Sequence, residues 1–366
     1  MVNIIFKITF FVSITLSNNL ENCIDLSGKN RSEIELALLK VPKSQENGLN
    51  WLILNMPKED LKDLSSEFLL TNTKLAYEAW NNSPFKNSIP EDIFLDNILP
   101  YANLNEKREE WRYGLRSTFS SYIKDAKTIS EAVVILNQKI FSKLGVIYST
   151  KRPKADQSPS ESIQAGMASC TGLSILLINT CRSLGIPARF VGTPSWYNNS
   201  GNHSWVEIWD NGWHYTGAAE PVDNLLNVSW FDHYASKAIK GDQKYGIFAV
   251  TWNSSEQFFP MDWLPDVKTY KALDVTDRYN KLKEKSNLAS IGFKAINGEG
   301  VRSSEKIIIN GPESYLFEGK TYDESKDAND CLTIILPKNK YFTVNINNKS
   351  KKIFILNDTI IEFIID

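Results

Sequence analysis

Residues 166–192 read GMASCTGLSILLINTCRSLGIPARFVG, and residues 202–221 read NHSWVEIWDNGWHYTGAAEP. Ser169 is a good helix N-cap, and Leu173, Leu176, Leu177, Thr180 and Leu184 recur at helical spacing until Gly185 and Pro187 stop the run. The pattern predicts a helix whose first turn holds Cys170. There the free N–H groups and the positive end of the helix dipole favour a thiolate, the form that attacks a carbonyl carbon. Cys181, in the last turns of the same helix, has no such help and reads as packing.

Downstream, Ala188 to Val191 reads as a strand, and a second strand starts at His203. On it His203, Trp205, Glu207 and Trp209 share one face, and Ser204, Val206 and Ile208 the other. Asn211-Gly212 signals a two-residue type I′ hairpin. In that register Asp210 faces Trp213, Glu207 faces Thr216 and His203 faces Glu220, with directly opposed Cβ atoms about 5 Å apart. Glu220 is then the carboxylate that holds the His203 ring, while Gly217 has nothing to offer. His214 lies on the face of His203 but roughly 20 Å away along the strand, too far to serve the same site. His233, beside Asp232 and among aromatic residues, reads as structural, with a second base as its functional alternative.

The 366-residue chain is 42% hydrophobic and 23% charged, an ordinary globular composition with room for two or three domains. A net charge of -2 gives no attraction for nucleic acid or an anionic membrane. The four cysteines, at 23, 170, 181 and 331, have no C-x-x-C spacing and meet only three histidines, so neither a zinc site nor another cofactor is expected. Cys170 and Cys181 would lie about 16 Å apart on one helix, beyond disulfide reach, which leaves Cys23 with Cys331 as the candidate bridge. The apolar run Ile4–Leu16 reads as a signal peptide cleaved after Ser17. This predicts an exported protein, secreted or held in the cell envelope. Cys23, preceded by Leu20-Glu21-Asn22, is only a loose match to a lipoprotein acceptor.

Four regions follow: 1–17 signal peptide, 18–115 helical, 116–285 catalytic with its extension, and 286–366 β-rich. In the second, Ser32–Leu39 and Leu61–Trp80 read as helices, the former with a Ser32/Glu35 capping box, and PEDIFLDNILPY (90–101) as an amphipathic helix stopped by Pro100. In the third, Thr128 with Glu131 caps a helix that Gly145 ends, and Ser149–Glu161 reads as an exposed loop. In the fourth, short runs such as CLTIILP and KYFTVNIN between turn residues predict a β-sandwich.

The blocks SCTG (169–172), RSLGIPAR (182–189), HSWVE (203–207) and WHY (213–215) resemble the transglutaminase-like superfamily of papain-like cysteine enzymes. More loosely, the flanks PEDIFLDNILPY and LDVTDRY look like those of secreted bacterial members with a β-rich C-terminal domain. The resemblance implies an α+β fold, a Cys-bearing helix packed on an antiparallel sheet, with Cys170 as nucleophile and His203 as general base. Members usually carry Asp at or near the position of Gly217; Glu220 takes its place by the register, with Asp223 as the fallback.

A thiolate paired with imidazole attacks an amide carbonyl, the imidazolium protonates the leaving amine, and the carboxylate fixes the ring tautomer. The Cys170 backbone N–H would supply one oxyanion donor and the Gln164 side chain a second. The expected activity is cleavage or exchange of an amide bond in a peptide, protein or cell-wall peptide, with association with the cell surface. The alternative is a scaffold that keeps the fold without a working triad, for which Gly217 is the motive.

Overall fold

The computed structural model describes residues 19–280 and 287–365, so the expected signal peptide and the 285/286 boundary fall outside the described residues. Among the described residues no helix is long and apolar enough to cross a membrane.

The N-terminal helices wrap around the Cys170–Ser183 helix and share one hydrophobic core with it, running from Ile34 to Ala272. Two details differ from the expected pattern. Helix Arg31–Lys40 starts before Ser32, after a 3-10 turn at Gly28–Asn30, so Ser32 sits inside it; Glu35 pairs with Arg31 at 2.7 Å instead of closing a capping box. The expected Leu61–Trp80 helix is two helices, Lys58–Asp63 and Ser66–Asn81, because the Ser65 hydroxyl accepts from Phe68 N–H and caps a fresh start. Helices Glu91–Asn97 and Ile129–Leu144 lie where periodicity puts them, the second capped by Thr128 and ended by Gly145 at φ 69°. Arg182 is buried within the shared core, and its guanidinium donates to the carbonyls of Asn97, Pro100, Ala102 and Ala188. One arginine thereby fastens the N-terminal helices to both the Cys170 helix and the sheet.

Ser149–Glu161 is an exposed loop only in its first half, through Ala155. Asp156, Gln157 and Ser158 are buried, and Ser158 with Glu161 forms a capping box that opens helix Pro159–Ala165. The two-residue strands β1 (Ile147–Tyr148) and β2 (Met167–Ala168) pair in parallel on either side of it and lead into Ser169.

Five antiparallel strands make the sheet behind the Cys170 helix: β3 (Ala188–Thr193), β4 (His203–Trp209), β5 (Trp213–Thr216), β6 (Phe248–Val250) and β7 (Ala272–Asp274), in the order β5-β4-β3-β6-β7. This is the α+β arrangement, a helix on an antiparallel sheet. The β4–β5 register is one residue off the expected one: Trp209 faces Trp213, Ile208 faces His214 and Glu207 faces Tyr215. Asp210 is the cause. Its carboxylate accepts from the N–H and hydroxyl of Ser130 at 3.0 and 2.6 Å, at the start of the Ile129 helix, which draws it out of the ladder into a three-residue loop.

The C-terminal strands are β8 (Leu288–Ile296), β9 (Arg302–Ser303), β10 (Lys306–Asn310), β11 (Leu316–Lys320), β12 (Leu332–Pro337), β13 (Lys340–Ile346), β14 (Lys349–Ile355) and β15 (Thr359–Ile364). They form two sheets, β11-β10-β13-β14 and β12-β8-β15 with β9 beside β8, around a core that includes Ile291, Phe293, Ile309, Phe342 and Val344. The result is a β-sandwich.

Candidate active site

Ser169 sets the position of Cys170. Its hydroxyl accepts from Gly172 N–H at 3.2 Å and donates to Ala155 O at 2.5 Å, so the N-cap is tied to the preceding loop. Thr171 and Ser174 then bind the helix to β4: Thr171 Oγ1 lies 3.2 Å from Ser204 Oγ, and Ser174 Oγ donates to Ser204 O at 3.3 Å. Cys170 thus meets His203 because the first turn of the helix is pinned to the first residues of the strand. As the first helical residue, Cys170 also keeps a backbone N–H with no intrahelical acceptor, available to an oxyanion.

The His203 ring is 1% exposed and walled by aromatic side chains, with Trp230 and Phe231 centred 4.8 and 5.0 Å away. Nε2 lies 3.3 Å from Glu220 Oε2, and Trp230 Nε1 donates to that same oxygen at 2.9 Å. The route by which Glu220 arrives is not strand pairing. β5 ends at Thr216, and Gly217 to Glu220 is a tight turn in which Glu220 N–H donates to Gly217 O at 3.2 Å and Ala219 takes φ 65°. The turn folds the glutamate back over the glycine, and a Cβ on residue 217 would collide with Glu220 Oε2. The carboxylate therefore occupies the space in which a side chain at 217 would begin.

A second carboxylate enters from the C-terminal sandwich. Asp327 Oδ2 lies 3.7 Å from His203 Nδ1, and the Cys170 Sγ, a His203 ring nitrogen and an Asp327 carboxylate oxygen all lie within 4.8 Å of one another. The loop that carries Asp327 is firmly held. Arg302 donates to the carbonyls of Lys326, Asp327 and Asp330 at 2.7–2.9 Å, Asn329 Nδ2 donates to Asn202 O at 2.6 Å, and Ala328 N–H to Tyr148 Oη at 2.8 Å. Beside His203, the space lined by Thr193, Asn202, Phe259 and Trp263 is about 10 Å³, room for one water. Cys170 itself is half-buried beside the docked loop.

Burial pulls the His203 pKa down, but Glu220, Cys170 and Asp327 together outweigh it and hold the imidazole well above its usual value. Asp327 is raised, by burial first and against the pull of His203. Asp330, at the end of the same loop, is pushed up to about 8 by burial and by its carboxylate neighbours Glu220 and Asp327. Carboxylates on both edges of the ring thus favour its protonated form.

Residues 117–217 match the family model described as the transglutaminase-like superfamily core. This segment is a transglutaminase-like domain. Among solved structures, the chain is similar to a candidate cysteine protease from Cytophaga hutchinsonii (21% identity over 36% of this chain and 46% of that one, TM-score 0.28). It is also similar to a candidate protease from Parabacteroides distasonis (8% identity, 65% of this chain and 36% of that one, TM-score 0.26) and to red sea bream transglutaminase (9%, 78% and 59%, TM-score 0.27). It spans less than half the length of the first two, and at these scores the likenesses set no expectation for reaction or substrate. Among curated proteins, none matches.

Within the transglutaminase-like domain, Cys170 and His203 come together and Glu220 joins them, while other expected residues do not. Asp223 is exposed on the next turn, where its backbone carbonyl accepts from Gln138 at 2.7 Å. Gln164 is exposed on the Pro159–Ala165 helix and makes no polar contact with Cys170 or His203 among the described residues, so the second oxyanion donor lacks its expected source. Cys181 is buried, and burial pushes its thiol up to about 12, as packing requires. His214 lies at the far end of the hairpin, beside Asn227 and Asp210 O. His233 lies 2.8 Å from Asp358 of the sandwich, a contact between the two parts of the chain and not a second base at the thiol. All four cysteines are free, so Cys23 and Cys331 are not bridged.

Glu207, on the His203 strand, is fully buried between Arg189, at 2.7 Å, and Arg278, and Tyr279 Oη donates to it at 2.9 Å. Arg189, the second arginine of the RSLGIPAR block, thus has a structural task. Asp327 and Trp230 escaped the sequence reading: no spacing rule connects a strand at 203 with a turn at 327. The Lys-Asp-Ala-Asn-Asp run at 326–330 is polar and turn-forming, and its composition alone marks it as a loop.

Proposed function

We propose that the protein is an exported cysteine acyl-transfer enzyme that hydrolyses or exchanges amide bonds of peptides, proteins or cell-wall peptides. The observation that carries the reading is the ring of His203 set between the Cys170 thiol and the Glu220 carboxylate. Cys170 attacks the carbonyl as thiolate, and its backbone N–H at the helix start receives the oxyanion. His203, as imidazolium, gives its proton to the leaving amine. Glu220, itself oriented by Trp230, holds the tautomer and the positive charge. Water or a second amine then takes the acyl group from sulfur.

The scaffold reading drew on Gly217 at the position where a carboxylate belongs. Glu220 folded into that space favours the enzyme. Export rests on the apolar run Ile4–Leu16, and a peptide of the cell surface is the matching substrate class. Activity-based profiling of the wild type and Cys170→Ala against peptide and amide libraries tests the reading. Turnover that requires Cys170 supports it; identical profiles from both proteins would remove it.

A further inference from the structure

Asp327 has no part in the acyl-transfer scheme, yet its carboxylate lies 3.7 Å from His203 Nδ1 and within 4.8 Å of the Cys170 thiol. Its side chain is 1% exposed, and the 3.7 Å between its Oδ2 and His203 Nδ1 is too far for a hydrogen bond between them. Buried polar atoms are rarely left unpaired, and two of these, Asp327 Oδ2 and His203 Nδ1, face each other beside the Cys170 thiol.

The donors around that point are a thiol, an imidazole and a carboxylate, the S, N and O set of a tetrahedral zinc site with a fourth position open. The outer shell fits the same chemistry. His203 presents Nδ1 to Asp327 while Nε2 is held by Glu220 at 3.3 Å, the carboxylate–histidine arrangement that orients a metal-bound imidazole. Asp327 Oδ1 accepts from Asn329 N–H at 2.8 Å, which turns Oδ2 toward the thiol. Bonds of about 2.0–2.3 Å put neighbouring ligand atoms roughly 3.3–3.8 Å apart in a tetrahedron. The Nδ1–Oδ2 separation of 3.7 Å already meets that spacing. The widest separation in the cluster is at most 4.8 Å, and binding would draw these atoms inward.

We propose that Cys170, His203 and Asp327 bind a divalent transition-metal ion, zinc by the character of the donors, and that the ion caps the nucleophile and locks the Asp327 loop over it. Binding needs only the three side chains; the inhibitory consequence rests on the reading of Cys170 as the reactive thiol. The sequence spacing gave no hint of such a site because its third ligand comes from the other part of the chain.

The test is titration of the chelator-treated full-length protein with Co(II), followed by displacement with Zn(II). The expected result is a near-ultraviolet thiolate-to-cobalt band that saturates at one ion per chain and disappears on zinc addition. Cys170→Ser should abolish it, Asp327→Asn should weaken affinity by about 10- to 100-fold, and Cys23→Ser and Cys331→Ser should leave it intact. Thermal melting of each variant excludes loss of fold as the cause. No band, a band that survives Cys170→Ser, or an affinity indifferent to Asp327→Asn overturns the proposal. Iodoacetamide labelling of the metal-free protein separates the two readings. Fast labelling of Cys170 without a cobalt band removes the metal site and keeps the acyl-transfer enzyme; a cobalt band with an inert metal-free Cys170 does the reverse.

Discussion

A Cβ atom on residue 217 would overlap Glu220 Oε2, so Gly217 is what allows the glutamate to fold back to 3.3 Å from His203 Nε2. The glycine at the place of a carboxylate and the glutamate three residues later are one device. Gly217→Ala should therefore displace Glu220 and lower turnover by roughly 10²-fold, the effect of about 1 Å of misplacement. Glu220→Gln, which keeps the shape and loses the charge, should lower kcat by roughly 10²–10⁴-fold. The double variant Gly217→Asp/Glu220→Ala should recover part of the loss. Steady-state kinetics on a substrate found by profiling checks all three, and wild-type rates in Gly217→Ala would show that the pair is not coupled.

The same carboxylate sets a pH dependence. Burial lowers the His203 pKa, while Glu220, Cys170 and Asp327 raise it further, to well above its usual value. The stabilisation from the imidazolium is then fully present below the unfolded value near pH 6.5 and is lost as pH rises through the folded one. Glu220→Gln removes one of the raising groups, so the His203 titration followed by NMR should move to lower pH. A titration that stays in place would mean that Glu220 does not hold the ring.

Glu207 offers the opposite sign. Burial pushes its carboxyl up, but Arg189 and Arg278 more than reverse this and hold it below the usual carboxylate range. Its contribution to stability is present above the unfolded value near 4.5 and is lost as pH falls through the folded one. Glu207→Gln leaves two guanidinium groups without their partner and should cost about 3–5 kcal/mol at pH 7 in urea unfolding. The difference from wild type should shrink as the pH is lowered into the acid range; a constant difference would contradict the ion-pair origin.

The docked loop has its own handle. Arg302 donates to three loop carbonyls and stands outside the reacting groups. Arg302→Ala should free the Lys326–Asp330 turn, so that iodoacetamide reaches Cys170 several-fold faster and proteases cut within the turn. Unchanged labelling and an intact turn would show that the loop does not shield the thiol.

The parts of the fold legible in the sequence are those governed by local rules. The Ser169 cap and the apolar stripe placed the Cys170 helix correctly, Thr128 and Gly145 bounded another helix, and the alternation after His203 read as a strand. The failures share one physical cause, a distant partner overriding a local signal. Ser130 draws Asp210 out of the hairpin and shifts the register by one residue. Glu109 and the Ser158/Glu161 capping box order a stretch whose composition reads as loop. Counting along a strand points to Glu220, which reaches His203 by a turn instead. Asp327 lies in a different domain, where no count from His203 could lead.

Alkylation of Cys170 in the metal-free protein tests the central claim most directly. The rate is measured near pH 6 for the wild type, His203→Ala and Glu220→Gln, each also in the Arg302→Ala background so that shielding by the loop is separated from activation. The account predicts that Cys170 reacts faster than a free thiol at this pH, and that the advantage vanishes in His203→Ala and shrinks in Glu220→Gln. A Cys170 that reacts no faster than a free thiol in the loop-opened protein, or a rate indifferent to His203, would contradict it.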